Sequence, residues 1–506
     1  MIDHVVTVWP SGSPRAKEDE LAWQIAMVAG GDAPVDDDVA DMVVNRVIDD
    51  AAVAAASLSR APVCAARDEA LAHRVVAGSA IWGLGDDVRV GPEWAAWANG
   101  VAVRELDFHD TFLGAEYAHP GDNIPALLAV AQHVGRARAI SGRDLVRAIA
   151  TAYEVQIALA RSISLHKHKI DHVAHLGPSI AAGLGALLRL PTAVTYQAVN
   201  QALHTSTATR QSRKGQISTW KAYAPAFVAK ATVEAVDRAM RGQTSPAPIY
   251  EGEDGVIAWM LDGPDARYDV SLPSPGEARR AIMDSFTKEH SAEYQAQAWI
   301  DLARRLRTRH PSVADPAKVS EIVIISSHHT HMVIGTGSND PQKFDPTSTR
   351  ETLDHSLPYI FAVALQDGEW HHESSYSATR ANRPDTVALW RRIRTVEDPG
   401  WSRRYLALDP KERAYGGRVE VVMTDGSTVT DEIEVPDAHP RGARPFARDQ
   451  YVEKFRRLSE SVVDREEAER FVESVLRLNA LDAAELVDLS FRASPPLATG
   501  ATQGIF

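Results

Sequence analysis

Asp107, His109, Asp110, Thr111, Glu116 and His119 crowd together between apolar flanks. Imidazole changes charge near neutral pH, so histidines set beside carboxylates can accept and return protons. Pro120, Gly121, Asp122 and Asn123 then read as a turn and an N-cap. Pro125 suits the first turn of a helix continued by Leu127, Leu128 and Val130. A helix N-terminus offers free N–H groups and the positive end of the dipole, so anions are favoured there. The competing reading is a capped surface loop.

Two further clusters carry chemistry. SLHKHKIDHVAHLGPS holds His166, His168, His172 and His175. On a helix, His168 and His172 would share a face at one-turn spacing, which metal sites can use. With no cysteine and no adjacent glutamate, the set is not a convincing zinc site, and no metal or cofactor is assigned. TRQSRKGQISTWKAYAPAFVAK gathers Arg210, Arg213, Lys214 and Lys221 ahead of an alanine-rich helix. Such a run is commonly a solvated face; arginine forks and lysine point charges also suit carboxylates. His328, His329 and His331 lack acidic or thiol companions and read as a strand-end loop.

Periodicity supplies the elements that position these groups. Helical spacing covers 18–31, 39–58, 66–80, 142–160 (Ser141 as cap), 180–190, 193–206 and 223–240. Residues 1–15 read as a loosely ordered tail, and prolines and glycine mark 268–275 as a linker. Beyond it come helices at 277–283 and 291–310, a β-branched strand at 318–326 and a helix at 355–365. Strands at 418–424 and 428–435 meet across Asp425-Gly426, a hairpin signal. Helical spacing returns at 449–457, 465–478 and 483–489. The order is thus helical, α+β, helical.

The 506 residues exceed one ordinary core, so at least two domains are expected. Lys plus Arg is 54 and Asp plus Glu is 68, a net charge of −14, which argues against a general nucleic-acid binder. The single cysteine, Cys64, excludes an intrachain disulfide framework and a self-contained iron–sulfur cluster. Neither a secretory signal nor a membrane-length apolar run is visible, and the expected location is cytoplasmic.

HDTFLGAEYAHPGDN resembles the signature of the 2-methylcitrate dehydratase family, also called MmgE/PrpD: an Asp-rich D-x-x-D-T run, then His-Pro-[Ser/Gly] before a helix. His109 departs from it, since that position is usually Asp or Asn. SFTKEHSAEYQAQA and RETLDHSLPYIFAVALQDG resemble two further family segments. The resemblance implies a mainly α protein. A large helical domain (1–275) would be completed by returning helices (441–506), with a smaller α+β lid (276–440) inserted between. It implies a homodimer and a small tricarboxylate as substrate.

By position, His172 resembles the family's active-site histidine, and lysines in the places of Lys221 and Lys288 belong to the site. Tyr359, from D-H-S-x-x-Y, is carried over as a catalytic group. His355 would lie one turn from it and reads equally as a helix-orienting residue, with Ser356 as a cap. The implied reaction is metal-independent dehydration of 2-methylcitrate to 2-methyl-cis-aconitate. Asp107, His119, His172 and Tyr359 would do the acid–base work, and Thr111, Arg213, Lys221 and Lys288 would bind the substrate. A single pocket lined by these groups is expected. Alternatives are cis-aconitate decarboxylase, iminodisuccinate epimerase or a non-catalytic helical protein that binds an acidic partner.

Overall fold

Small side chains dominate the first half of the chain and let helices approach closely. The Asp37–Ser57 helix is buried along most of its length, and Pro92–Arg104 packs on Trp220–Met240. A computed structural model describes residues 1–407 and 409–505. It is mainly helical, with small sheets.

Two large apolar clusters organise it. One runs from Val6 to Ile282 and also takes in Tyr451, Phe455, Phe471 and Phe491. The Arg448–Ser459 helix reaches this cluster by lying on Asp37–Ser57. The other cluster runs from Ala292 to Ile433. There the Tyr294–Arg309 and Leu357–Asp367 helices pack together, beside a sheet ordered Thr428–Ile433, Gly417–Met423, Val319–Ser326, Ile393–Glu397. Val319–Ser326 pairs antiparallel with Gly417–Met423 and parallel with Ile393–Glu397. The Asp425-Gly426 turn closes the hairpin, with Gly426 at φ 87°, where glycine carries no Cβ penalty. Among the described residues no helix is long and apolar enough to cross a membrane.

Most expected helices form within a few residues of their expected bounds. Ser141 closes a capping box with Asp144 at the start of Gly142–Ser162. Other expectations are corrected. The expected tail contains strand Ile2–Thr7, which pairs with Arg267–Leu272 inside the expected linker. The third helix ends at Leu71 and is followed by strand Arg74–Ala80. Only a short 3₁₀ turn, Ala281–Asp284, forms where a helix was expected at 277–283. The His328–Val333 stretch is a short helix capped by Ser327. Asn123 does not cap the next helix; its amide donates to Pro120 O and Gln156 Oε1.

Candidate active site

The site is built on the end of a helix. Pro92–Arg104 terminates just before Asp107, which sits at φ 48°, a left-handed conformation uncommon outside glycine. A carboxylate at a helix C-terminus is unfavourable, and three cations offset it. Arg104 Nη1 and Lys288 Nζ donate to Oδ1, Lys288 at 2.6 Å, while Lys221 Nζ lies 3.1 Å from Oδ2. Lys288 also donates to the Asp107 carbonyl at 2.9 Å. Burial alone would raise the Asp107 pKa, but Arg104, Lys221 and Lys288 outweigh it and hold the group well below the usual carboxylate range.

His119 faces this carboxylate. Its Nδ1 lies 3.0 Å from the Asp110 carbonyl, which can only accept, so Nδ1 carries the proton. Nε2 is thereby left bare, 3.9 Å from Asp107 Oδ1. Burial, reinforced by Arg104 and Lys288, pushes the His119 pKa well below the ordinary histidine value. His119 is therefore a neutral acceptor at neutral pH. Gly121 permits the turn beneath it: a Cβ there would meet Asp50 Oδ1 at 2.7 Å and His109 Cδ2 at 2.8 Å. Gly121 N donates to Asp110 Oδ1 at 2.8 Å, holding the carbonyl-bearing residue in place.

His172 enters from the 3₁₀ turn His172–His175, with its ring centroid 5.4 Å from that of His119. Burial, opposed by Asp171 and reinforced by Arg213, brings its pKa down to about 3. Asp354 forms the second anionic point. Lys221 Nζ donates to its Oδ1 at 2.9 Å and Oδ2 at 2.7 Å, and His355 Nδ1 lies 2.5 Å from Oδ1. Lys221 thus bridges two buried aspartates drawn from distant segments.

A cavity of about 40 Å³ opens onto this centre, lined among others by Arg104, Asp107, Tyr117, His119, His172, Arg210, Arg213, Glu293, Lys343 and His355. Glu293 is the N-cap of Tyr294–Arg309, its carboxylate accepting from Gln295 N at 2.6 Å. Burial, opposed by Lys288 and Lys221, raises its pKa to about 7.

Asp107, His119, His172 and Arg213 line the cavity; Lys221 and Lys288 lie behind Asp107. The Arg213 guanidinium is held by Asp171, with Nε 3.2 Å from Oδ2, and by the Lys221 carbonyl at 3.1 Å. Thr111 and Tyr359 stand elsewhere. Thr111 exchanges backbone bonds with Phe286 in an isolated bridge, and its hydroxyl donates to Ala118 O at 3.1 Å. Tyr359 is fully buried in the second cluster, its hydroxyl on Ser375 O and its ring 4.9 Å from that of Trp390. The Leu357–Asp367 helix begins after His355, capped by Ser356, so His355 and Tyr359 do not share a helical face.

His168 and His172 are likewise separated, by Lys169 at φ 63° between two 3₁₀ turns. His175 Nε2 bonds the Ile163 carbonyl in the core, and His109 pairs with Asp122 at 3.1 Å behind His119. Sequence reasoning missed Arg104, Glu293, Lys343 and Asp354. Arg104 left a local signal in its i,i+3 spacing to Asp107, and Asp354 and Glu293 lay within the D-H-S-x-x-Y and SFTKEHSAEYQAQA stretches without being singled out. Asp107, Asp354 and His355 place one ligand atom each within 4.8 Å of one another, a spacing suited to a cation. The Lys221 ammonium already bridges the two carboxylates.

Residues 19–269 match the MmgE/PrpD N-terminal domain, and residues 290–480 match the MmgE/PrpD C-terminal domain. The chain belongs to the MmgE/PrpD family. It is 27% identical over 390 residues to the mitochondrial 2-methylcitrate dehydratase of Yarrowia lipolytica, covering 74% of this chain and 71% of that one. It is 28% identical over 385 residues to the 2-methylcitrate dehydratase of Cupriavidus necator, covering 74% and 76%. It is also similar to the cis-aconitate decarboxylase of Homo sapiens, 25% identical over 453 residues and 83% of each chain. In this member of the MmgE/PrpD family the DFHDTFLGAEYAHPGDN stretch supplies the neutral histidine and the left-handed aspartate together.

Proposed function

We propose that this protein is a lyase that removes water from 2-methylcitrate to give 2-methyl-cis-aconitate. The observation that carries the reading is His119: a neutral imidazole, its bare Nε2 directed at a cation-rich centre beside a cavity. The 2-methylcitrate dehydratases among its relatives support the choice of substrate.

His119 Nε2 takes the proton from the carbon next to a substrate carboxylate. The C–H electron pair becomes the new C=C bond as the C–O bond breaks. The Glu293 carboxylic acid gives its proton to the departing hydroxide, forming water. His119 then returns its proton through solvent and Glu293 is reprotonated. Arg104, Lys221 and Lys288 stabilise the charge that builds up as the carbon loses its proton. His172 packs edge-on against the His119 ring and keeps it oriented. Asp107 orders the three cations around the reacting end.

A cavity of about 40 Å³ holds a few waters rather than a tricarboxylate. Entry therefore requires residues 276–440, the proposed lid, to move from the body formed by 1–275 and 441–506. The two separate apolar clusters support that division. The reading further takes the protein to be a homodimer, as the family resemblance suggests, and to be cytoplasmic, as expected from the sequence.

The test is ultraviolet absorbance from the new conjugated C=C on adding 2-methylcitrate, with EDTA present throughout. Absorbance that rises with enzyme concentration supports the reading. No rise with 2-methylcitrate, together with CO₂ release from cis-aconitate, would replace it with the decarboxylase. Activity that vanishes with EDTA and returns with a metal would remove the metal-free mechanism.

A further inference from the structure

The cations of the Asp107 centre each have a carboxylate. Arg104, Lys221 and Lys288 meet Asp107, Arg213 meets Asp171, and Arg350 meets Asp354. Two cations lining the same cavity differ. Arg210, partly exposed at the start of the Arg210–Arg213 turn, pairs with no carboxylate among the described residues, and its Nε is buried without a hydrogen-bond partner. Lys343, on the Pro341–Phe344 turn, is only 6% exposed, and among the described residues its ammonium donates to the Val333 carbonyl alone. The neighbouring Asp340 is engaged by Lys214 at 3.5 Å.

A buried cation without a counter-charge costs stability, and pairing with an anion offsets that cost. Burial, reinforced by Lys214 and Arg210 and opposed by Asp340 and Glu293, lowers the Lys343 pKa to about 8. An ammonium has three donors and a guanidinium five, so most of this donor capacity is unused. Glu293, the acid facing the same cavity, is itself raised to about 7 by burial and forms no ion pair with either cation among the described residues.

We propose that Arg210 and Lys343 form a carboxylate subsite, distinct from the Asp107 centre, that holds one carboxylate of a polycarboxylic acid and selects three-carboxylate over two-carboxylate ligands. This rests on the polycarboxylate reading above, though not on dehydration itself. Arg210 comes from the chain of the first apolar cluster and Lys343 from that of the second, so a bound carboxylate would tie the two together.

The experiment is isothermal titration with tricarballylate and with glutarate, neither of which can lose water. Wild-type protein should bind tricarballylate at least about tenfold more tightly than glutarate. Arg210→Met and Lys343→Met should each weaken tricarballylate binding by about 10- to 100-fold, the usual effect of losing one hydrogen-bonding partner of a charged group. Glutarate binding should change by less than about threefold, and Arg210→Lys should restore part of the loss. Equal losses for both acids, or none, would overturn the subsite. So would wild-type protein without the tricarballylate preference, whatever the variants do. If the wild type dehydrates 2-methylcitrate while both methionine variants keep its KM, the subsite falls and the dehydratase reading stands. If the wild type performs no dehydration but the selective loss of tricarballylate affinity is seen, the subsite stands and the dehydratase reading falls.

Discussion

A histidine acts as a base only if its tautomer and its charge are both set, and His119 has both settled by its neighbours. The Asp110 carbonyl fixes the proton on Nδ1, while burial with Arg104 and Lys288 keeps the ring neutral. His119→Ala should lower kcat by about 10²–10⁴, the usual contribution of a positioned base, with little change in thermal midpoint. Near-normal turnover in that variant would remove His119 from the chemistry. Glu293 gives a second expectation. Its active form is the protonated acid, and its pKa stands near 7, so activity should fall as pH rises through that value. His119 must be neutral, so the acidic limb should lie well below the ordinary histidine value. Glu293→Gln keeps an acceptor for Gln295 N but has no proton to titrate. The high-pH limb should disappear from its kcat/KM profile along with most of the rate. An unchanged limb would show that Glu293 only caps its helix.

At the scale of elements, turns rather than helix bodies do the positioning. Gly121 lies where a Cβ would press on Asp50 Oδ1 and His109 Cδ2, under the turn that carries His119. Gly121→Ala should cost about 1–3 kcal/mol, as overpacking does, and should lower activity further by displacing His119. Ser141→Ala offers a comparison. It removes one half of a capping box remote from the cavity and should cost about 1 kcal/mol while leaving kcat intact. Urea midpoints paired with kcat for the two variants separate stability from positioning. Equal effects on kcat would refute the role given to the Gly121 turn.

Across the whole molecule, the centre is held by contacts between the two apolar clusters' chains. Lys221 meets Asp354, Lys288 meets Asp107, Ile217 N donates to Thr352 Oγ1 at 3.0 Å, and Arg350 reaches the Leu106 carbonyl at 3.2 Å. If the proposed tricarboxylate is the substrate, these contacts must open for it to enter so small a cavity. Hydrogen exchange should therefore be measurable at 286–293 and 349–356 in free protein and slow on saturation with tricarballylate. Uniform protection with and without ligand would argue against opening there. Sedimentation velocity at micromolar concentration should show a dimer; a monomer throughout would remove the proposed homodimer.

Local physical chemistry determined much of this molecule from its sequence. The alanine- and valine-rich periodicity specifies the helices, Ser141 with Asp144 specifies a cap, and the β-branched run at 319–326 specifies a strand, because each depends on near neighbours. The clustering of Asp107, His119 and His172 at element ends marked three of the groups that line the cavity. What depends on partners far along the chain was decided by tertiary structure. Ile2–Thr7 is a strand only because Arg267–Leu272 lies beside it, so neither segment announced itself alone. Tyr359 shares a motif with His355, but the helix starts between them and carries the tyrosine into the core. Glu293 resembles any polar residue before a helix until burial raises its pKa. Arg210 and Lys343 resemble solvated cations until the fold brings them to one cavity, where neither forms an ion pair among the described residues. Burial and charge pairing are sums over segments distant in the chain, and only the folded structure performs that summation.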